Sequence, residues 1–483
     1  MAGGDVHHSD VPSGRRVRRW SAGLVAFLLV LAVVAHVFEL GPRVLGWDYP
    51  SPITEPAEVA PPPGLTLPAP SPAAAVASAP GEQSADPAAV RRAIAPLLRD
   101  EDLGPRVSVA VGQLSDGATV FEAGPAPVIP ASTMKVLTAT AALAALGPDH
   151  TFSTTTVAGD TPRDVVLVGG GDPLLARTPV SDAYPSRADI VTLAKATARS
   201  LKDLGRVRVR IGYDTSLFSG PDVSPAWRAS YLPDDVVSPI SPLWVDEGRE
   251  RQGNPARSDD PAAAAAAAFA TVLERQGIVV RGRARPAVAD PEALEYASVR
   301  SAPLSQIAQW VLEVSDNEAA EVLFRHVAIA EGLPGSFSGG STAVRDVLRR
   351  LGVDTSGERI LDGSGLSRRN RLSPRTLLSV VEVAAAEEHP GLRTVVSGLP
   401  VAGFTGSLTY RFSTGEEEGL GLVRAKTGTL TGVHGLAGVV TDRDGTVLSF
   451  VAIADRVKVE DTLDARDQID KLAAALAACS CSA

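Results

Sequence analysis

The stretch 130-PASTMKVLTATAALAALG-147 decides the fold, and near its start a serine is followed three residues later by a lysine. A helix is predicted from about Ser132 until Gly147-Pro148 stops it. On that helix Ser132 and Lys135 share one face, because residues three apart are neighbours. Only six of the 46 basic residues are lysines. Arginine stays charged at ordinary pH, so a lysine at this position raises the question of whether an amine that can lose its proton is required here.

The serine-lysine pair suggests nucleophilic catalysis without histidine. A serine hydroxyl is a weak nucleophile until a base takes its proton. The seven histidines are scattered and show neither metal-ligand spacing nor a GxSxG partner. A desolvated Lys135 could accept the proton of Ser132 instead. The pair alone is a weak signal, because a helix-capping serine near a solvated lysine would give the same sequence pattern.

Two further short motifs strengthen the interpretation. Ser315-Asp316-Asn317 interrupts two predicted helices, where a loop can project polar groups into a cleft. Lys426-Thr427-Gly428 lies within an apolar strand. Taken singly, the first could be a helix-capping turn and the second an edge-strand charge. Together and in this order, S-x-x-K, S-D-N and K-T-G mark serine acyl-transferases that react with penicillin.

With these motifs, the chain resembles the D-alanyl-D-alanine carboxypeptidases of peptidase family S13, the class C low-molecular-mass penicillin-binding proteins. The resemblance covers about Asp86 to Ala478 and includes LVGGGDPLL (167–175), ILDGSGLSRRNRLS (360–373) and LPVAGFTGSLTYR (399–411). It implies an α+β fold of the serine β-lactamase and penicillin-binding transpeptidase type. In that fold an antiparallel sheet is flanked by helices beside an all-helical part, and a β-containing domain is inserted between the first two motifs.

The resemblance also implies a site made of catalytic residues (Ser132, Lys135, Ser315, Asn317 and Lys426) and substrate-binding residues (Thr427, Gly428 and Thr429). Ser132 is expected to be the acylated nucleophile and Lys135 its base. Ser315 and Asn317 are expected to relay the proton and orient the substrate amide. No metal or cofactor is implied.

The third motif is expected to handle the substrate's charges. Lys426 would supply a positive field, and Thr427 and Thr429 would bind the terminal carboxylate. The backbone amides of Ser132 and Thr429 would form the oxyanion hole, often the largest single contribution to catalysis.

The two ends of the body predict one sheet. RVSVAVGQL (106–114) and ATVFEAG (118–124) form a predicted hairpin that follows a helix starting at Asp86-Pro87. GLVRAKTGTLTGVHGLAGVV (421–440) and TVLSFVAIAD (446–455) alternate like paired strands, and a helix closes the chain. The predicted domains are therefore a discontinuous carboxypeptidase domain (86–155 and 296–478), an insertion (156–295) and a tail (479–483).

The first 85 residues predict a membrane-tethered, exported protein. A basic segment (1–19) precedes an apolar run (20–38) of about the length that spans a bilayer. The arginines before it predict a cytoplasmic N-terminus and a body outside the cytoplasm. A signal peptide cleaved near Val33-Val34-Ala35 is the alternative. Eleven prolines between Pro50 and Pro87 make the 39–85 stretch a semi-rigid linker.

Several smaller features carry expectations of their own. Cys479 and Cys481 are expected not to pair, because they are too close for a relaxed disulfide. The glycines at 169–171 predict a tight turn rather than a phosphate loop. Asp362 and Ser364 could face the cleft, but the glycines around them favour a structural turn. The 180 residues from Lys135 to Ser315 are fewer than the resemblance implies for two nested inserted domains, so one of the two is expected to be reduced or missing. Gly406-Ser407-Leu408 replaces the family's usual Gly-Thr-Leu.

Composition and motifs leave three functions. A net charge of −10 argues against nucleic-acid binding. The leading hypothesis is a serine D-alanyl-D-alanine carboxypeptidase, with endopeptidase action left open, that acts on peptidoglycan stem peptides and is inhibited by β-lactams. A β-lactamase or esterase of the same fold is the second. A catalytically inactive wall-binding scaffold is the third. The two motif lysines argue against it, because a scaffold has no need for them in a chain with only six lysines.

Overall fold

The computed structural model describes residues 84–251, 254–413 and 415–482. Its strands are β1 (Val107–Gln113), β2 (Thr119–Ala123), β3 (Ser153–Ala158), β4 (Asp164–Val168), β5 (Arg208–Asp214), β6 (Val279–Val280), β7 (Arg285–Pro286), β8 (Glu295–Arg300), β9 (Val423–Leu430), β10 (Val433–Thr441) and β11 (Val447–Ala454).

The α-helices of the described chain are α1 (Pro87–Ile94), α2 (Met134–Leu146), α3 (Ile190–Asp203), α4 (Pro261–Arg275), α5 (Leu304–Val314), α6 (Asn317–Ala330), α7 (Phe337–Arg350), α8 (Pro374–Ala385), α9 (Thr394–Ser397) and α10 (Thr462–Ala478). Helix α1 begins as expected, because Asp86 caps it by accepting from the Ala88 amide and Pro87 occupies its first turn.

The first sheet is assembled from both ends of the chain, which confirms the predicted α+β arrangement. Its strand order is β2-β1-β11-β10-β9, and every neighbouring pair is antiparallel. The hairpin β1–β2 therefore joins the carboxyl-terminal strands through the β1–β11 pairing, in which Val107 lies opposite Ala454. Strand β9, which carries the third motif, lies at the edge of this sheet.

The two faces of the first sheet bury different helices. On β10, Val433 and Ala437 belong to the core shared with α2, α5, α6, α7 and α8, whereas Leu436 and Val440 pack with α1 and α10. This alternation follows from the two-residue period of a strand. Helix α2 is central: every residue from Met134 to Leu143 is buried. A helix apolar on all sides belongs in a protein interior, so α2 fixes the serine-lysine motif against the rest of the fold.

A second sheet lies in the sequence between the first two motifs. Its order is β6-β5-β4-β3-β8, with β7 also paired to β5. Its core is shared with α3 and α4. Next to it, Trp227 and Tyr231 form a smaller apolar cluster with Val322 of α6 and Leu366. The segment before α4 is thereby packed onto the helix and the turn that border the site described below.

The predicted membrane helix at 20–38 lies outside the described residues. Within the described ranges, which begin at residue 84, no helix is both long and apolar enough to cross a bilayer.

The cysteine prediction was wrong, because Cys479 and Cys481 form a disulfide. Cys479 follows α10 with extended dihedral angles, φ −72° and ψ 140°. Side chains two residues apart point to the same side of an extended chain. The Cα atoms lie 5.1 Å apart, within the usual range for a disulfide.

Candidate active site

Ser132 lies on a tight turn that leads into α2. Residues Ala131–Thr133 form one 3₁₀ turn, and Thr133 Oγ1 closes it by donating to the Pro130 carbonyl at 2.7 Å. Ala131 has a φ of 48°, a left-handed conformation that costs free energy in a non-glycine residue and concentrates at functional sites. The Ser132 side chain is half-buried.

Lys135 is fully buried one helical turn further on. Its Nζ lies 3.0 Å from Ser132 Oγ, 2.8 Å from Asn317 Oδ1 and 2.8 Å from the Ser364 carbonyl oxygen. The last two oxygens can only accept hydrogen bonds. A neutral amine must therefore give its two N–H groups to them, and its lone pair is left to face Ser132. The geometry makes the amine an acceptor for the serine proton.

The environment favours that neutral form. Burial lowers the pKa of Lys135 to about 8, and the negative charge of Glu321 is the largest opposing influence. A base with a pKa near the working pH is both sufficiently deprotonated and sufficiently basic. The sequence-based expectation of a desolvated lysine therefore agrees with the burial and the pKa.

The second motif forms the junction between α5 and α6. Ser315 has a φ of 64°, which ends α5, and Asp316 begins α6 by accepting from the Ala319 amide at 2.9 Å. The motif is thus the capping turn that its composition suggests, and it also delivers Asn317 to Lys135. The Ser315 side chain is half-buried and makes no hydrogen bond to the described parts of the chain.

The third motif lies on β9. Lys426 is fully buried, and its Nζ donates to the Thr427 carbonyl at 3.2 Å and to Thr427 Oγ1 at 3.3 Å. Burial lowers the pKa of Lys426 well below its usual value, and the charges of Lys135 and Arg411 lower it further. The Thr427 hydroxyl also lies 2.8 Å from Ser407 Oγ. The serine in Gly-Ser-Leu therefore contributes a hydroxyl beside the third motif.

Strand β9 passes close to the serine turn. A Cβ on Gly428 would stand 2.8 Å from the Pro130 carbonyl and 3.1 Å from the Thr133 methyl group. Only glycine allows the strand and the turn to approach this closely. Thr429 follows as an exposed residue opposite His434 of β10. The first and third motifs, almost 300 residues apart in sequence, thus border one site.

The segment 360–373 contributes more than the predicted structural turn. Asp362 is structural: it accepts from the Ser367 amide, Trp227 Nε1 and Asn370 Nδ2 at 2.6–2.8 Å, and from the Gly365 amide at 3.1 Å. The carbonyl of Ser364, however, is a direct partner of Lys135. Sequence reasoning missed this contact, because it uses a backbone atom that any residue would supply.

Glu321 was also missed. It is fully buried on α6 and accepts from the amides of Gly363 and Ser364 at 3.0 and 2.8 Å. The available signal was its position four residues after Asn317, which places both side chains on one face of the helix.

The glycines at 169–171 form a turn whose amides are largely occupied. The Gly169 amide donates to the Asp214 carbonyl and the Gly171 amide to the Pro242 carbonyl. His326 Nε2 lies 3.0 Å from the Gly171 carbonyl. Because these backbone donors have protein partners, the segment does not offer them to a phosphate.

Comparisons with known proteins identify similar carboxypeptidases. The sequence profile of the family described as D-Ala-D-Ala carboxypeptidase 3 (S13) matches residues 90–253 and 249–476. The chain is 36% identical to carboxypeptidase DacB from Mycolicibacterium smegmatis over 487 residues, which covers 97% of this chain and 99% of that protein.

Solved structures show a similar fold. Penicillin binding protein 4 from Haemophilus influenzae is 23% identical, with a TM-score of 0.63 over 80% of this chain and 98% of that one. Its complex with a β-lactam gives a TM-score of 0.58 at 24% identity, over 77% of this chain and 97% of that one.

Proposed function

The chain belongs to the D-Ala-D-Ala carboxypeptidase 3 (S13) family, and from this premise we propose that it acts through an acyl-enzyme on Ser132. It is a D-alanyl-D-alanine carboxypeptidase, a hydrolase that removes the terminal D-alanine from peptidoglycan stem peptides. The observation that carries the proposed mechanism is the 3.0 Å contact between Lys135 Nζ and Ser132 Oγ. The other two partners of that amine are oxygens that cannot donate to it.

Acylation begins with proton transfer from Ser132 to the neutral amine of Lys135. Ser132 Oγ then attacks the carbonyl carbon of the penultimate D-alanine and forms a tetrahedral oxyanion. The amides of Ser132 and Thr429 stabilise this oxyanion. The bond to the leaving nitrogen breaks as that nitrogen takes up a proton, relayed from Lys135 by way of Ser315, and free D-alanine departs.

Hydrolysis completes the cycle. A water molecule gives its proton to Lys135 and attacks the ester carbon, and the ester bond to Ser132 Oγ breaks. The stem peptide leaves one residue shorter, and Ser132 regains its proton. Asn317, which already accepts from Lys135, keeps that amine aligned through both half-reactions and orients the substrate amide.

The terminal carboxylate of the substrate binds at the end of β9. Thr427 and Thr429 donate to it, and Ser407 lies against the Thr427 hydroxyl. The approach of this negative charge favours the protonated form of Lys426, because an opposite charge raises the pKa of an amine. Lys426 is then the cation that holds the carboxylate, although burial alone disfavours its charge.

Release of D-alanine tests this function. The body that begins at Asp86 is incubated with an acylated tripeptide ending in D-Ala-D-Ala, and free D-alanine is measured by mass spectrometry. The expected result is steady release by the wild type and by Ser115→Ala, a control at an exposed hairpin serine, and loss of release in Ser132→Ala. Equal release by wild type and Ser132→Ala would refute the assignment of the nucleophile.

We also propose that residues 20–38 anchor the protein in the membrane, with the body on the outer side. The apolar run and the arginines before it support this orientation. The Cys479–Cys481 disulfide fits the same side, because such bonds persist in oxidising compartments. Alkaline extraction of membranes tests the anchor: the full chain should stay with the membrane and the chain from Asp86 should not. Release of both would contradict the proposal.

A further inference from the structure

The carbonyl that holds Lys135 belongs to a turn fixed by two buried carboxylates. Glu321 Oε1 accepts from the Ser364 amide at 2.8 Å, and Glu321 Oε2 accepts from the Gly363 amide at 3.0 Å. Both oxygens of one side chain are therefore committed to two consecutive backbone N–H groups. Since Glu321 is fully buried, no water competes for these bonds, and the turn is tied rigidly to α6.

The second carboxylate acts on the next peptide group. The Gly365 amide donates to Asp362 Oδ1 at 3.1 Å, and this amide shares its peptide unit with the Ser364 carbonyl that accepts from Lys135. Gly365 has a φ of 85°, and a Cβ there would meet the Ala131 carbonyl at 1.8 Å. The turn is thus pressed against the segment that carries the nucleophile, and its carbonyl has little freedom to move.

Helix α6 supplies both supports of the amine. Asn317 accepts from Lys135 directly, and Glu321, one helical turn later, acts through the Gly363 and Ser364 amides. We propose, building on the function given above, that Glu321 is a positioning residue for the general base. It holds the Ser364 carbonyl so that the lone pair of Lys135 faces Ser132, and its negative charge partly offsets the effect of burial on that amine.

The charge effect depends on every ionisable group near the amine. Glu321 exerts the largest effect that raises the pKa of Lys135. Burial raises the pKa of Glu321 itself and Asp362 adds to that rise, whereas the hydrogen bonds from Gly363 and Ser364 favour its charged form. The other charged groups that face Lys135 or Glu321 are Asp316 and Glu318 at the start of α6, Asp362 in the turn, Arg325 further along α6, and Lys426 on β9.

Two substitutions test these effects: one keeps the charge of Glu321 and the other removes it. Glu321→Asp keeps the charge, but its side chain is one methylene shorter and cannot reach both amides. The acylation rate should fall by about tenfold to a hundredfold, because a displacement of about 1 Å can cost a factor of about a hundred. Glu321→Gln keeps the length and removes the charge, and its single amide oxygen can accept from only one of the two backbone N–H groups. The pKa of Lys135 should then fall by at least about one unit, since a nearby opposite charge typically shifts a pKa by about one to three units.

Two measurements read these effects. Acylation by a chromogenic β-lactam is followed from pH 5.5 to 10 in both variants. The titration of Lys135 is followed by NMR of ¹³C-labelled lysine in the Ser132→Ala background, where Lys135→Met assigns its signal among only six lysines. The second measurement needs no substrate and no activity, so it separates failure of this inference from failure of the proposed function. Glu382→Gln is the control. Glu382 is a half-buried carboxyl on another helix, α8, and it accepts from Ser449 Oγ of β11.

The expected result is a lower Lys135 midpoint in Glu321→Gln, an unshifted one in Glu382→Gln, and slow acylation by folded Glu321→Asp. An unshifted Lys135 midpoint in Glu321→Gln would overturn the inference. Wild-type acylation by folded Glu321→Asp would overturn it as well. If Glu321→Gln does not fold, as judged by circular dichroism, the rate of Glu321→Asp decides.

Discussion

Replacing Lys135 by arginine tests the assignment of the base most sharply. The substitution keeps a positive charge and a long aliphatic stem but removes the ability to become neutral. With a pKa of about 8, about one-tenth of Lys135 is neutral at pH 7. An arginine with a pKa of at least about 12 is neutral in at most about one molecule in 10⁵.

These fractions differ by about 10⁴, which matches the upper part of what general base catalysis contributes. Some acylation by way of water can persist, so the expected loss of acylation rate for Lys135→Arg is at least about a thousandfold. The assay is the second-order rate constant for a chromogenic β-lactam at pH 7, on protein whose folding is checked by circular dichroism and thermal unfolding.

Lys426→Arg is the matched control. Lys426 is also fully buried, so the larger guanidinium strains both sites in a similar way. The proposed role of Lys426 requires a cation beside the substrate carboxylate, which arginine can partly supply, and its loss should be clearly smaller. If folded Lys135→Arg acylates as fast as folded Lys426→Arg, Lys135 is not the base.

Three further predictions concern pH, backbone geometry and the carboxylate site. Acylation by the wild type should rise about tenfold per pH unit below a midpoint near pH 8 and level off above it, because only the neutral form of Lys135 reacts; a rate independent of pH in stopped-flow assays would contradict this. Gly365→Ala should lower the free energy of unfolding in urea by at least about 2 kcal/mol. Gly357→Ala, also at positive φ but with open space around it, should lower it less. Equal losses would mean that the close approach of Gly365 to the Ala131 carbonyl is unimportant for stability. For a peptide ending in D-Ala-D-Ala, Ser407→Ala should raise KM about two- to tenfold with little change in kcat, because it removes one hydrogen bond to Thr427. Ser407→Thr keeps the hydroxyl and should restore KM. Failure to restore KM would exclude the hydroxyl as the cause.

The three motifs could be predicted because each is local. Ser132 and Lys135 are three residues apart, and each of the other two motifs is an unbroken tripeptide, at 315–317 and 426–428. Residue type and order along the chain are therefore enough to identify all three. The first sheet was also predictable, since hairpins and helices are visible at both ends of the body. The structure agrees with this assembly through the pairing of β1 with β11.

The remainder of the site depends on contacts between distant segments. The Ser364 carbonyl meets Lys135 across 229 residues of sequence, and the side chain of residue 364 does not determine this contact. In the sequence Glu321 is indistinguishable from an ordinary helix residue. Its role depends on contact with the turn at 362–365, which only the folded structure shows. The disulfide was missed for a different reason: the spacing of the two cysteines in sequence does not give the backbone conformation after α10, which places their Cα atoms 5.1 Å apart.

The identity of the acylated atom tests the central claim most directly. The body from Asp86 is treated with penicillin, and its intact mass is measured, followed by peptide mapping of the adduct. The expected result is a long-lived increase equal to one penicillin, located on the peptide with Ser132 and absent from folded Ser132→Ala. A modification on another residue, or one that persists in Ser132→Ala, would contradict the mechanism. Rapid loss of the adduct with turnover of the antibiotic would instead indicate a β-lactamase.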